Sequence, residues 1–348
     1  MGAVGSLRAS GPDPIPAGQA HGEDALTALL SLVQDDLARC NRTIVARMQS
    51  PVELIPQLAA HIVAAGGKRL RPLLTLSCAK LCGYAGGDRH VSLAACVEFI
   101  HTATLLHDDV VDDSALRRGL ASANAVFGNK ASVLVGDFLF ARAFELMVED
   151  GSLRVLAILS RAAATIAEGE VLQLVTQNDL STTEDRYLAV IEGKTAALFA
   201  AACQVAGVVA DRPEAEEQAL ARYGHNLGVA FQLVDDALDY AADQAVLGKT
   251  VGDDFREGKI TLPVLAAYAA GDAAEREFWR RTIEESEQTA DDLEHAMRLV
   301  EQRGAIGTTI DRAARYAADA CAALDVFPDT PIRRALLDAA SYTLSRAR

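Results

Sequence analysis

This chain predicts an all-α fold, a single large helical bundle around a central apolar cavity, and three observations carry that prediction. Half of its 348 residues are hydrophobic and only 5% are aromatic. Alanine is used heavily and proline is rare after the first stretch, a composition that suits long packed helices. Apolar residues recur every three to four positions along most of the length, the period of an amphipathic helix. Two of the apolar runs end in aspartate clusters, Asp108-Asp109-Val110-Val111-Asp112 and Asp235-Asp236-Ala237-Leu238-Asp239, which puts two charged mouths on an apolar interior. Length alone would suggest two domains. No change of composition divides residues 23–348, however, so they read as one helical domain behind a disordered tail at 1–22.

The tail, Met1 to Gly22, is rich in Gly, Pro and Ala and lacks the apolar stretch of a signal peptide. Asp24, a candidate N-cap, opens a helix to about Met48 with Leu26, Leu29, Leu30, Val33, Leu37 and Ile44 at helical spacing. A second helix starts at Pro51 and ends at Gly66-Gly67. A third begins on the basic run Lys68-Arg69-Leu70-Arg71-Pro72 and continues past Leu81. The helix from about Val91 to Asp113 carries the first aspartate cluster. One long helix is expected from Ala121 to about Glu149, then others at Leu153 to Gln177, Thr183 to Val209 and Ala215 to Ala241, the last carrying the second cluster. Leu247 to Lys259 is polar and glycine-punctuated, a loop able to close over an anionic ligand. Beyond Leu262, about four amphipathic helices broken near Gly271, Gly304 and Pro328 complete the bundle.

On a helix, Asp108 and Asp112 lie one turn apart on one face with Asp109 beside them. Carboxylates at that spacing repel, and the helix C-terminus adds the negative end of the macrodipole, so the cluster is unfavourable without a counter-ion. A hard divalent cation removes the conflict. Oxygen-only ligands with no neighbouring Cys select Mg²⁺, which takes one or two carboxylates, several waters and substrate phosphates. Asp235, Asp236 and Asp239 repeat the spacing. One such cluster could be a solvated helix face, but two, each embedded in apolar sequence, are not explained that way.

Basic residues gather where phosphates could meet these clusters. Lys68 and Arg71 follow two glycines at a helix start, where backbone N–H groups favour anions. Arg117 and Arg118 come directly after the first cluster. Lys194-Thr195 sits among apolar residues, where a buried ammonium is costly, so Lys194 either meets a phosphate or snorkels to the surface. A diphosphate held by Mg²⁺ and lysines is a good leaving group, and the carbon left behind is a cation that survives only where water is excluded.

The net charge of −15 argues against nucleic acid as a partner. Six cysteines lie in apolar surroundings without the pairing of a zinc site or a secreted scaffold and read as reduced thiols. The most apolar later run, Ala196 to Ala210, is too short to span a bilayer. A cytoplasmic location is expected.

Together these motifs resemble the all-trans-polyprenyl diphosphate synthases, which have the isoprenoid synthase fold. The resemblance runs over nearly the whole chain after the tail. It rests on Gly66-Gly67-Lys68-Arg69-Leu70-Arg71-Pro72, the first aspartate cluster with Arg117-Arg118-Gly119, Gly169-Glu170, Lys194-Thr195, Phe231-Gln232 with the second cluster, and Gly248-Lys249. It looks most like the bacterial octaprenyl and decaprenyl type, especially across Glu98 to Gly119 and Ala131 to Asp137.

The resemblance implies that isopentenyl diphosphate sits on Lys68, Arg71, His101 and Arg118, and an allylic diphosphate on Arg117, Lys194, Lys249 and Mg²⁺, with three ions per active site. Lys259 is a further substrate-binding candidate. Asp108, Asp112 and Asp235 would hold metal with Asp109, Asp236 and Asp239 in support, while Thr195 and Gln232 would stabilise the allylic carbon. Read without the family, the lone His101 is as much a core histidine as a ligand. The resemblance also implies repeated condensation with the departing diphosphate as base, a homodimer, a quinone side chain as the fate of the product, and transient membrane contact at its release.

Chain length would be set just before the first cluster, where Ala103 and Thr104 are small and leave the passage open. From Val91 to Asp112 a helix runs about 33 Å, enough to accompany about seven or eight extended isoprene units before the chain bends, so a product of about eight to ten units, C40–C50, is expected, and the resemblance favours ten. The alternatives are a shorter-chain synthase, a terpene cyclase, which would not need the Lys68 and Arg71 group or a second aspartate cluster, and a non-catalytic subunit of a heteromeric synthase, which would be expected to have lost aspartates.

Overall fold

The computed structural model describes residues 22–64, 66–67, 69–117, 119–241 and 251–346. The expected tail and three predicted site residues, Lys68, Arg118 and Lys249, lie outside them. The chain folds as a helical bundle. Its first half is α1 (Gly22–Arg47), α2 (Leu54–Ala64), α3 (Leu70–Leu81), α4 (Arg89–Val111), α5 (Ala123–Phe127), α6 (Asn129–Asp150) and α7 (Leu153–Thr176). After it come α8 (Glu184–Ile191), α9 (Ala197–Val209), α10 (Glu214–Asp239), α11 (Asp253–Arg256), α12 (Leu262–Ala270), α13 (Ala273–Trp279), α14 (Asp292–Gln302), α15 (Ala305–Ala323) and α16 (Pro331–Ser345).

Helix α4 is apolar around most of its circumference, so it is buried on all sides. Leu93, Ala94, Ala95, Cys96, Val97, Phe99, Ile100 and Ala103 are fully covered. α6, α3 and α1 pack around it, α9 lies against α3, α7 and α10, and α15 and α16 cover α10. Both helices that carry aspartates are thus held by the core along their length, and only their C-terminal ends reach the polar mouth.

Three expectations are corrected. The single helix predicted from Ala121 to Glu149 is two, because Gly128 adopts φ 83°, ψ 157° between α5 and α6, a conformation open to glycine and not to the helix. The all-α bundle is borne out, and it carries one short hairpin among the described residues. Leu116–Arg117 (β1) pairs antiparallel with Leu120–Ala121 (β2) in a small hairpin directly after the first cluster. The segment after the second cluster is not all loop, since α11 forms within it. The apolar run Ala196 to Ala210 is not an isolated short segment, although the helix that holds it keeps the expected Thr183 to Val209 bounds within a residue. It is part of a continuous helical stretch, Glu184–Val209, long and apolar enough to cross a membrane by length and composition, but 61% of its most apolar window is buried inside the fold.

Candidate active site

Residues Glu192–Ala196 join α8 to α9 as a single π-helical turn, an insertion that recurs at functional sites because it re-aims side chains within an otherwise regular helix. Here it sends Lys194 and Thr195 to different partners. The Lys194 ammonium donates to Glu170 Oε2 at 2.8 Å and lies 4.0 Å from Asp108 Oδ2. The Thr195 hydroxyl donates to Gln232 Oε1 at 2.8 Å. The turn comes so close to α7 that a Cβ on Gly169 would stand 2.5 Å from the Lys194 backbone nitrogen, so only glycine allows this approach. Lys194 is therefore not an unpaired buried ammonium: two carboxylates answer it here, and Glu170 is a site residue that sequence reasoning recognised only as part of a motif.

At the end of α4, Asp112 is the helix C-cap, its N–H bonded to the Asp108 carbonyl at 2.8 Å, so the two aspartates keep the one-turn spacing. The β-hairpin returns Arg117 onto the 3% exposed Asp109, with Nε 2.8 Å from Oδ1. Lys259 donates to Asp112 Oδ2 at 3.0 Å and also pairs with Glu257. Its segment is anchored where the Asn178 N–H bonds the Gly258 carbonyl at 2.9 Å. Burial alone would lower the Lys259 pKa, yet the Asp254, Asp112 and Glu257 carboxylates raise it, so this lysine stays charged.

On α10, Asp236 is buried and held from both sides, by the Tyr187 hydroxyl at 2.6 Å and by Gln232 Nε2 at 2.8 Å. Asp239 accepts the Asp254 N–H at 3.0 Å. Asp235 accepts Arg346 Nη2 at 2.6 Å, from the end of α16. The Arg346 guanidinium lies 4.6 Å from the Phe231 ring centre, and Phe231 and Phe199 lie 5.7 Å apart. Arg71, in the first turn of α3, sits 4.4 Å from the Phe199 ring, so two arginines flank an aromatic pair. His101 is half-buried on α4 and Ala103 is fully buried, while the Thr104 hydroxyl caps the His101 carbonyl at 2.7 Å.

The two clusters are thus bridged by the π turn on one side, through Lys194 to Asp108 and Thr195 to Gln232. On the other they are bridged by the 252–259 segment, through Lys259 to Asp112 and Asp254 to Asp239. Each carboxylate that sequence reasoning proposed as a metal ligand has a cation at hand: Lys194 for Asp108, Lys259 for Asp112 and Arg346 for Asp235. Arg346, Tyr187 and Asp254 carried no sequence signal linking them to these carboxylates.

This donor set fits Mg²⁺. The candidate ligands are oxygens only, as suits a hard cation that completes its shell with water and phosphate oxygens. Burial, with Glu170 and Asp112 adding to it and Lys194 opposing, pushes Asp108 up to about 7. Burial and Asp254 push Asp236 up to about 7 against the Tyr187 and Gln232 hydrogen bonds.

A pH dependence follows. Both folded pKa values lie above the ordinary 3.8, so between about pH 4 and 7 the folded protein holds more protons than the unfolded chain. The contribution of these groups to stability is therefore lost as pH rises through that window. Mg²⁺ competes with the proton on Asp108, so the rise in Tm on adding Mg²⁺ is expected to be larger at pH 8 than at pH 6. Equal shifts in the two thermal scans would contradict this.

The chain is similar to known proteins over nearly its whole length. The polyprenyl synthetase family matches residues 52–300. The octaprenyl diphosphate synthase of Escherichia coli (strain K12) is 49% identical over 323 residues, covering 93% of this chain and 99% of that one. The crystal structure of a decaprenyl diphosphate synthase from Rhodobacter capsulatus has a TM-score of 0.88 at 53% identity, covering 93% of this chain and 99% of its own. A polyprenyl synthase from Caulobacter crescentus CB15, complexed with calcium and isoprenyl diphosphate, has a TM-score of 0.90 at 54% identity, covering 93% and 98%. With aspartate clusters, intervening lysines and an apolar bundle arranged as described, and relatives aligned over nearly its whole length, this chain belongs to the polyprenyl synthetase family of Mg²⁺-dependent trans-prenyltransferases, among the makers of long-chain all-trans-polyprenyl diphosphates.

Proposed function

We propose that this enzyme condenses isopentenyl diphosphate repeatedly onto an allylic diphosphate and releases a product of about C40–C50, a range compatible with the length of α4, with ten units favoured by the family resemblance. The octaprenyl and decaprenyl products in the names of two relatives bracket that range. The observation that carries the reading is the π turn, which sets Lys194 toward one aspartate cluster and Thr195 toward the other.

Asp108, Asp112 and Asp235 would hold Mg²⁺, three ions per site, which supplies positive charge against the diphosphate as its C–O bond breaks. Lys194, released from Glu170 and Asp108, binds the allylic diphosphate with Arg117 and Lys249, and Lys259 steadies Asp112 beside them. Lys68, Arg71, His101 and Arg118 bind isopentenyl diphosphate. Thr195 and Gln232 turn oriented dipoles on the allylic carbon, and the surrounding apolar core excludes water from the cation. No side chain of these motifs is placed as a base, so the released diphosphate takes the proton. The direct test is incubation with isopentenyl diphosphate, an allylic primer and Mg²⁺, followed by product sizing. Long linear chains are expected; a cyclic hydrocarbon would make it a cyclase, and no product a non-catalytic subunit.

The same reading places the enzyme in the cytoplasm as a homodimer, supplying a quinone side chain, with transient membrane contact when the apolar product leaves. Support for the dimer comes from α6 and α7, which turn Leu134, Phe144 and Val148, and Leu153, Val171 and Val175, to solvent, an apolar surface of the kind that marks an interface. Phe144→Glu with Val148→Glu is expected to convert the dimer to monomer in sedimentation equilibrium. A mass unchanged by that double variant would move the interface elsewhere.

A further inference from the structure

Tyr187 lies on α8, outside every motif that identifies the family, and is 2% exposed. Its hydroxyl donates to Asp236 Oδ2 at 2.6 Å. The other carboxylate oxygen, Oδ1, accepts Gln232 Nε2 at 2.8 Å. Asp236 is the acceptor in both bonds, and an amide has one donating and one accepting end. Gln232, with its NH₂ committed to Asp236, must therefore present Oε1 to Thr195, and the Thr195 hydroxyl must donate to it, at 2.8 Å. The direction of every bond in this row is set outward from Asp236. Because the Thr195 proton is committed to Gln232, what its oxygen can offer a neighbouring atom is a lone pair, the end that stabilises positive charge.

We infer that Tyr187 is a positioning residue for the condensation: by holding one oxygen of Asp236 it fixes the Gln232 amide and, through it, the Thr195 oxygen toward the allylic carbon. The inference rests on the assignment of Thr195 and Gln232 to that carbon under Proposed function. Without the phenol hydroxyl, a buried carboxylate oxygen loses a hydrogen-bond donor. The carboxylate is then free to turn toward other partners, and the Gln232 amide loses the contact that decides which end faces Thr195.

Tyr187→Phe keeps the ring in its packing and removes one hydroxyl. The test uses the full-length enzyme with Mg²⁺ and two probes, an allylic thiolodiphosphate, whose allylic carbon is uncharged, and an ammonium analogue of the allylic cation added with inorganic diphosphate. The wild type is expected to prefer the ammonium pair. Tyr187→Phe should bind the thiolodiphosphate within about twofold of wild type and lose roughly tenfold or more of its affinity for the ammonium pair. kcat should fall by a similar factor at unchanged KM. Adding Thr195→Val to Tyr187→Phe should then cost little more, because both act through one row. Should Tyr187→Phe fail to accumulate as folded protein, Gln232→Leu cuts the row at the next link and should show the same split.

Equal loss for both probes would make Tyr187 a general scaffold residue, and no loss for either would remove it from the site; both outcomes overturn the inference. A wild type with no preference for the ammonium pair would bring down the assignment of Thr195 and Gln232 first, and the role of Tyr187 with it.

Discussion

Asp108→Ala and Asp235→Ala are each expected to lower turnover by about a thousandfold or more while leaving the fold intact, since each removes charge that holds the metal at the leaving group. The structure adds a sharper expectation for each. Asp108 is largely buried, with a pKa pushed up to about 7 by that burial, so its removal relieves a desolvation cost in the metal-free protein, and Glu170 at 2.8 Å still neutralises Lys194. The melting temperature of Asp108→Ala without Mg²⁺ should equal or exceed that of the wild type. Asp235 instead pairs with Arg346, and its loss frees an arginine from the end of α16. Asp235→Ala should therefore lose a little stability as well as turnover. Steady-state rates under limiting Mg²⁺ and thermal melts without it check both. Turnover near normal in either variant would remove that aspartate from the metal site.

Ala103→Tyr is expected to shorten the product to about three or four isoprene units with the first condensation largely retained. Ala103 lies five residues before Asp108, about 7–8 Å along the helix axis, so a ring there meets the growing tail early. The Ala103 methyl is fully buried on α4, which makes the prediction demanding. If the side chain faces the tail's passage, the ring occupies space the product would take and the protein stays stable. If it faces packed core, the ring overpacks it at a typical cost of about 1–3 kcal/mol and product length does not change. Product sizing and a thermal melt on the same preparation separate the two. Full-length chains from Ala103→Tyr would mean that the tail follows another path.

The limits of sequence reasoning show at particular residues. Helix periodicity is local, so α4, α7 and α10 were legible within a few residues of their ends. The break at Gly128 was not, because it depends on one backbone conformation, φ 83°, inside a run whose apolar pattern continues through it. The β-hairpin that brings Arg117 to Asp109 was likewise invisible, since its strands are two residues each and too short for any alternation to register. Lys194 was recognised as a cation in apolar surroundings, but its partners Glu170 and Asp108 come from other helices.

By itself the sequence determined the bundle, the two aspartate clusters and their one-turn spacing, because those follow from a 3.6-residue period and from charges a few positions apart. Only the tertiary structure decided which cation answers which carboxylate. Lys259 and Asp112 are 147 residues apart, and Arg346 and Asp235 are 111 apart. It also decided that a π turn between α8 and α9 splits Lys194 and Thr195 between the clusters, and that Tyr187 reaches Asp236. The physical reason is range. Periodicity and like-charge repulsion act within one or two turns of chain and can be read from neighbours. A counter-ion or hydrogen-bond partner is instead chosen by where the packed helices bring distant side chains, and no local pattern records that choice.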